Sequence, residues 1–528
     1  MYLKEVRMKL MNLSIVASAV CLLAISAQAA DDLVSAFKEG KLDGRIRLHY
    51  IGTDWDHNDD WLKGYNNTVL NKPNEDSHGA AIGGSLIYTT APLYGLSAGA
   101  GFYTTHSLGI LTNTDNGTTT GNAKNTTTSD LFARGPGAAT DFGSGYSILG
   151  QAYLQYDIVK MSLKGGRFLM SNPFISPNDT KMIPLAVEGA SFVSNDIANT
   201  VIQLDYADKV KERGMTYFGS MADTGDTPDA IKNYYNTHYT ATTGPAANIL
   251  SQYGHSDAPA VGILGIKNKS IKDLELQGWY MTWPDIIDQA MAEANYKLKA
   301  GDVGLAFGAR YMQQMDHGAG EIITPMDGSS PYSQAAVTAT GPTGGTSASK
   351  VTKKGDNDNR VDTYMVALRA IANYKAARFL VAYSHTASGG DLIAPWRAFP
   401  TDGYTRSMTI TDWNANTKAY KGQFDYDFNS IVTGLSALVS YSYYNRDPSK
   451  VGYQGQTDRY YGNGDTHQWN ADVKYAVEGI KGLELKLRTM IQKNDVVTNI
   501  TSNTGGASEG IGIDTSNKEM RVEINYLF

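Results

Sequence analysis

From residue 30 onward, apolar and polar side chains alternate with a period of two in segments of about ten residues. Eighteen such segments can be marked: 44–53, 80–90, 96–105, 148–157, 160–168, 186–194, 200–207, 258–267, 272–281, 287–298, 302–314, 361–373, 377–386, 417–428, 434–445, 468–477, 483–493 and 518–528. Alternation over such lengths, bounded by Gly, Asn, Pro and Asp, predicts β-strands. The segment 186–194 carries the faintest pattern. Nothing after Ala30 is apolar over the roughly 20 residues that a membrane-spanning helix needs.

The links between segments sort into two kinds. Those after the second, fourth and sixth segments are short: Ala91 to Gly95, a tight turn at Val159, and Asn195 to Asn199. Those after the first, third and fifth are longer, at 54–79, 106–147 and 169–185. The alternation continues with long links at 208–257, 315–360, 387–416, 446–467 and 494–517, and the tight link near Trp283-Pro284-Asp285 is its one exception. An up-and-down barrel inserted from one side has short periplasmic turns and long external loops in this order. The expectation is therefore all-β: a transmembrane antiparallel up-and-down β-barrel of about 18 strands, in which lipid leaves backbone groups no partner but the next strand.

Parity then assigns faces. In the last segment Met520, Val522, Ile524, Tyr526 and Phe528 share one side, and Arg521, Glu523 and Asn525 the other. Charge facing lipid near mid-bilayer costs about 2–4 kcal/mol, so the polar side should line the lumen. The same rule turns Arg45, Arg47 and His49 inward against Ile46, Leu48 and Tyr50, and Glu484, Lys486 and Arg488 inward against Leu483, Leu485, Leu487 and Ile491. Arg310, Arg369, Lys421, Asp425, Asp472 and Lys474 also oppose the apolar members of their segments. The long links, such as Thr112 to Asp130 and Thr338 to Lys350, read as solvated loops. The link at 169–185 differs: Pro173, Pro177 and Pro184 restrict its backbone to one shape.

The first 29 residues have a different pattern. Lys9 precedes an apolar run from Leu13 to Ala27, and Ala27-Gln28-Ala29 supplies a small-x-small cleavage pattern. We expect residues 1–29 to be a signal peptide and 30–528 one barrel domain. Removal of Lys4, Glu5, Arg7 and Lys9 would move the net charge from −7 to −9, and removal of Cys21 would take the single cysteine. The acidic balance argues against nucleic acid as a partner, and the lack of further cysteines against a disulfide scaffold. Tyr outnumbers Phe by 33 to 14, as interfacial aromatic belts favour.

The stretch Leu163-Lys164-Gly165-Gly166-Arg167, Pro173, Asn178-Asp179-Thr180-Lys181-Met182-Ile183-Pro184 and Glu188-Gly189 resembles the strand-five and loop-three region of OprD-like outer-membrane porins. Gly389-Gly390-Asp391, Tyr426-Asp427-Phe428, Gly434-Leu435, Asn470 to Tyr475, Ile480 to Leu485 and Glu519-Met520-Arg521 follow in family order, in a form closest to the epsilonproteobacterial branch. The resemblance implies an 18-stranded barrel with loop three folded inward. It implies passive diffusion of small water-soluble solutes (amino acids, organic acids, ions) past a row of wall cations that faces acidic or polar loop groups. Carried over, the row draws on Arg45, Arg47, Lys164, Arg167, Arg369, Arg488 and Arg521, with Asp179 and Lys181 on the loop; inward parity adds Arg310. Arg167 shares parity with Leu163, so it reaches the lumen only across a bulge. Opposed charge across a narrow passage would set ion preference.

The expected surroundings are outer-membrane lipid and lipopolysaccharide, with a homotrimer and a monomer both open. A structural or adhesive barrel without a channel is the competing reading. No enzymatic role is expected, because His49, His57, His78, His106, His317, His385 and His467 are scattered, mostly near loops, as surface or interfacial groups would be. No cofactor or metal is expected either. Asp54, Asp56, Asp59 and Asp60 could hold Ca²⁺, but they read better as solvated loop.

Overall fold

A computed structural model describes residues 30–56, 76–112, 131–133, 145–221, 259–284, 286–317, 362–390, 392–394, 396, 404–410, 412–447, 464–495 and 516–528. The expected leader, Asp59, Asp60 and most of the long links lie outside these residues. A short helix, α1 (Leu33–Lys38), comes first. The strands follow as β1 (Lys41–Trp55), β2 (Ser77–Thr89), β3 (Leu96–Thr112), β4 (Tyr146–Ile158), β5 (Met161–Phe168), β6 (Ala186–Ser194) and β7 (Thr200–Lys211). After the two-residue β8 (Gly219–Ser220) come β9 (Val261–Asn268), β10 (Leu274–Trp283), β11 (Ile287–Ala300), β12 (Val303–Asp316) and β13 (Thr363–Tyr374). The chain ends with β14 (Ala377–Thr386), β15 (Lys418–Asp427), β16 (Leu435–Asn445), β17 (Thr466–Ala476), β18 (Leu483–Asn494) and β19 (Asn517–Leu527).

All eighteen expected segments are strands of one antiparallel sheet, and β19 pairs with β1 from Arg45↔Leu527 to Trp55↔Asn517 to close it. The extra strand, β8, bonds to β7 beyond the point where β9 stops pairing. Phe528 finishes the closure: its N–H donates to the Gly44 carbonyl at 3.0 Å, and the Gly44 N–H donates back at 2.8 Å. The Phe528 ring lies over Gly44 so closely that a Cβ there would sit 2.2 Å from it, so any larger residue would have to displace the ring.

The two wall faces follow the parity read from the sequence. Ile46, Leu368, Val381, Val439, Leu487 and Ile524 are exposed on the outside, while Arg47, Ala367, Ala382, Ser442 and Glu523 are buried within. Outer aromatics form two bands. Tyr383, Tyr420, Tyr443 and His467 run side by side across β14–β17 near the external end, at centroid distances of 5.2, 6.1 and 4.8 Å. Phe379, Phe424, Tyr426 and Phe428 do so near the periplasmic end. Such belts mark the two headgroup levels.

The interior holds more than wall charges. A buried apolar cluster includes Trp279, Met281, Trp283, Met291, Met312 and Met365 from the inner faces of β10–β13. Phe174, Ile175 and Leu185 of the 169–185 loop join it, with Leu392, Ile393, Trp396 and Tyr404 of the 387–416 loop. That second loop was expected to be solvated, and its described part is folded inward. Trp396 packs on Trp283 at 4.7 Å between centroids, and its indole N–H donates to the Met221 carbonyl at 2.9 Å.

Candidate functional site in the barrel lumen

The 169–185 loop leaves the top of β5 and turns into the barrel. Asn172 starts the turn: its side-chain oxygen accepts from the backbone N–H of Phe174 at 2.9 Å and of Ile175 at 2.7 Å. This local capture of backbone donors is the usual role of Asn in turns. The Asn172 amide also donates to Asp205 on β7 at 2.9 Å. Asn178 takes a left-handed φ of 41°, and Leu185 N–H donates across the loop to the Pro177 carbonyl at 2.8 Å. The loop is wedged between two apolar clusters, with Phe174, Ile175 and Leu185 in one and Met182 and Ile183 in the other, beside Ile51, Tyr103 and Phe132.

Charge then pins the loop to the wall. Arg45 binds both carboxylate oxygens of Asp179, one of them at 3.2 Å. Arg47 Nη1 donates to Asp179 Oδ1 at 3.0 Å and also to the Lys181 carbonyl, while its Nε donates to Asn525 Oδ1 at 2.7 Å. The arginine side chains are 13 % and 7 % exposed, and Asp179 is 35 % exposed. Arg213 adds a bond to the Thr180 hydroxyl at 2.9 Å, and Lys211 one to the Pro184 carbonyl at 3.1 Å. Lys181 is itself buried. Arg45, Arg47, Asp179 and Lys181 thus meet, but the first two act as loop anchors and have little free surface.

The remaining wall candidates are paired too. Arg488 donates to Asp472 at 2.8 Å, and Arg521, its register partner, binds Glu519. Lys164 lies over the Tyr153 ring at 4.5 Å. Across the barrel from β1, Glu293 on β11 is paired with Arg310 on β12, and Arg369 on β13 donates to Asn295 at 2.6 Å. Tyr404 from the 387–416 loop covers both guanidiniums, at 4.7 Å from Arg310 and 4.4 Å from Arg369. Burial first, and then the Glu293 carboxylate, push its phenol up to about 12. Tyr404 stays neutral and offers both cations an aromatic face.

Arg167 departs from the row. Phe168, Val187 and Val210 are cross-strand partners in the buried inner cluster, so their neighbours Arg167, Glu188 and Lys209 point the other way. Arg167 Nε donates to Glu188 at 2.9 Å on the outer face, and its guanidinium lies 4.4 Å from the Phe218 ring. A kink at Gly166 (φ 119°) leaves the β4–β5 register unbroken, so it does not reverse the parity. His49 departs differently: it is fully buried on the inner wall, and neither ring nitrogen has a hydrogen-bond partner. Of the acidic residues, Asp54 at the end of β1 lies 3.3 Å from His78 and stays solvated, with its side chain 62 % exposed, whereas Asp56 is paired with Lys493 and Lys518.

Sequence reasoning missed Glu293 and Tyr404. Glu293 has inward parity on β11, and Tyr404 lies among Leu392, Ile393, Trp396 and Ile410, an apolar density unusual for a solvated loop. Those two signals could have found them.

The family model for the outer membrane porin, OprD family, matches residues 121–506. The chain belongs to the OprD family of outer-membrane porins. It is an outer-membrane barrel for passive diffusion of small solutes, and its family and fold are those of channels, not enzymes. Solved structures share the fold at low identity. Pseudomonas aeruginosa OpdK with vanillate is 14 % identical with a TM-score of 0.60, over 93 % of this chain and 99 % of that one. Acinetobacter baumannii OccAB3 is 18 % identical with a TM-score of 0.62, over 93 % and 99 %. Acinetobacter baumannii OccAB1 is 12 % identical with a TM-score of 0.62, over 95 % and 99 %. No curated protein sequence matches the chain.

Proposed function

We propose that this porin favours small carboxylates, organic acids and amino acids among them, and that its constriction lies between the 169–185 loop and the Tyr404 segment. The reading rests on one observation above all. Lumenal cations converge from both sides: Arg45, Arg47, Arg488 and Arg521 around β1, and Arg310 and Arg369 opposite. Paired cations in a narrow aqueous path can exchange a fixed carboxylate for a passing one, which is how charged rings select ions. Lys164 and Lys181 belong to this lining, Arg167 does not. The vanillate of the OpdK structure is a carboxylate, in keeping with this chemistry. Planar-bilayer recording of the purified protein tests both parts. Stepwise conductance with anion preference and competition by carboxylates is expected. Conductance with cation preference would overturn the solute class, and a barrel that inserts without conducting would favour the structural or adhesive alternative.

Three further readings complete the proposal. A leader ending at Ala29 delivers the chain, which N-terminal sequencing of the mature protein checks. The ordered motifs support a reading of it as a member of the epsilonproteobacterial branch, which a family tree tests. The outer wall meets lipid and lipopolysaccharide, and cross-linking in native membranes separates a monomer from a homotrimer.

A further inference from the structure

Helix α1 does not enter the barrel. The Tyr88 hydroxyl donates to the Phe37 carbonyl, and Tyr88 has the parity of Ile82 and Leu86, which are exposed on the lipid-facing side. A Cβ at Gly40 would sit 2.2 Å from the Tyr88 hydroxyl oxygen, so the chain leaving the helix is pressed against that outward ring. Ala36, the one buried helix residue, faces the β2–β3 turn, where Ala91 N–H donates to its carbonyl at 2.9 Å. Ala30 N–H donates to the Pro92 carbonyl in the same turn, at 3.0 Å. The helix is therefore docked at the periplasmic rim, on the outside of the wall.

Its free side is apolar. Leu33, Val34 and Phe37 are 63 %, 61 % and 56 % exposed. Positions i, i+1 and i+4 fall together on one helical face. That face adjoins the lipid-facing band, because Leu42, the register partner of Tyr88, is exposed on the same side. The rest of the rim has the same character. Tyr94, Val159, Ile197, Ile271, Ile431 and Ile480 each expose an apolar side chain from a different periplasmic turn. Scattered singly, such groups would need no explanation; here they adjoin a wall whose outer face is itself apolar.

We infer that α1 is an interfacial anchor: its Leu33, Val34 and Phe37 face lies in the inner leaflet of the outer membrane, where the turn residues also dip. The occupant is phospholipid, on the ground that the face continues the wall's own lipid contact. Lys38 ends the helix, exposed and placed to reach headgroup phosphates while its stem stays apolar, and Lys41 just beyond it is paired with Asp43 at 2.7 Å.

The test uses the full chain with Cys21 replaced by serine, carrying Val34→Cys with a nitroxide label, in phospholipid vesicles. Asp302→Cys, at a polar periplasmic turn, is the reference. Collision with oxygen should exceed collision with a water-soluble nickel chelate several-fold at position 34, and the order should reverse at 302. Nickel access at 34 equal to that at 302 would place the helix in water and overturn the inference. Shielding from both reagents would mean that protein covers the face, and would overturn it too. Leu33→Cys gives the same readout if Val34→Cys fails to fold. The inference rests on the barrel lying in the membrane, not on the solute, so conductance of the labelled protein separates its failure from that of the carboxylate reading.

Discussion

Asp179→Asn should loosen the inserted loop without unfolding the barrel. Asp179 receives three hydrogen bonds from two guanidiniums, two from Arg45 and one from Arg47. A hydrogen bond to a charged group contributes about 1.5–3 kcal/mol. Two things reduce the sum: Asp179 is 35 % exposed, so water and salt screen it, and asparagine keeps one acceptor. About 2–3 kcal/mol is then a fair net loss. At ~1.4 kcal/mol per tenfold, the seated loop loses roughly 30- to 150-fold in its equilibrium against a displaced one. It still holds Phe174, Ile175, Met182 and Ile183 in apolar contact and the Lys181 carbonyl on Arg47, so brief excursions are expected, not permanent release. Single-channel recording in dilute and concentrated KCl reads two effects. Open-channel noise should rise, and the reversal potential should move toward anions, because two guanidiniums lose their counter-charge. The shift should be larger in dilute salt, where screening is weaker. Asp425→Asn, which unpairs Arg378 on the wall and touches no inserted loop, controls for charge alone. Unchanged noise with Asp179→Asn, or noise that rises equally in the control, would refute the anchoring argument.

Replacing Arg47 and Arg488 together by alanine removes one of the two arginines on Asp179 and the arginine on Asp472, and should shift selectivity toward cations; an unchanged reversal potential would remove both from the conducting path. Tyr404→Ala should lower the temperature of the heat-induced gel-mobility shift, since a buried aromatic costs about 3–5 kcal/mol to truncate, whereas Tyr404→Phe keeps the ring over Arg310 and Arg369 and should leave the shift near wild type. Asp56 gives a pH dependence. The hydrogen bond from Lys493, then the Lys493 and Lys518 charges, hold its carboxyl below the ordinary value against opposing desolvation, so its contribution is present at neutral pH and is lost as pH falls through the folded pKa. Asp56→Asn should therefore cost roughly 0.2–1 kcal/mol at pH 7 and nothing in strong acid, as denaturant titrations at the two pH values would show.

Strand count, order and facing were legible because a barrel wall has one requirement per residue, lipid or lumen, and period two encodes it. The last segment shows this: Met520, Ile524, Tyr526 and Phe528 are exposed, and Arg521, Glu523 and Asn525 are buried. Arg167 was the hard position, because family order placed it in the row while parity placed it with Leu163. The structure sides with parity, and Glu188, shared between Arg167 and Lys209, supplies the counter-charge that makes an outward arginine tolerable near the external rim. Contacts between loops and the wall were not legible from the pattern alone, and only the family resemblance set the loop of Asp179 against the cations of the wall. Arg45 and Asp179 are 134 residues apart, and nothing in local spacing joins them. The apolar side of the lumen escaped for a related reason. Trp279, Met281 and Trp283 have inward parity, but an inward apolar residue makes sense only once the 387–416 loop is known to cover it.

That apolar side changes how the charges should be understood. If the lumen were water throughout, each wall arginine would be screened and contribute little to selection. Instead the two loops and the Met- and Trp-rich faces of β10–β13 exclude water from one side, and the anchored arginines lie against the other. Fields persist in such a partly dry passage. On the carboxylate reading proposed above, a solute would supply charge where Asp179, Asp472 or Glu293 now does, and a carboxylate would then pass more readily than a sugar of equal size. On that reading the inserted loops and the paired charges act as one device: the loops narrow the aqueous path and shield its charges from bulk water, and the pairs let a matching ion pass.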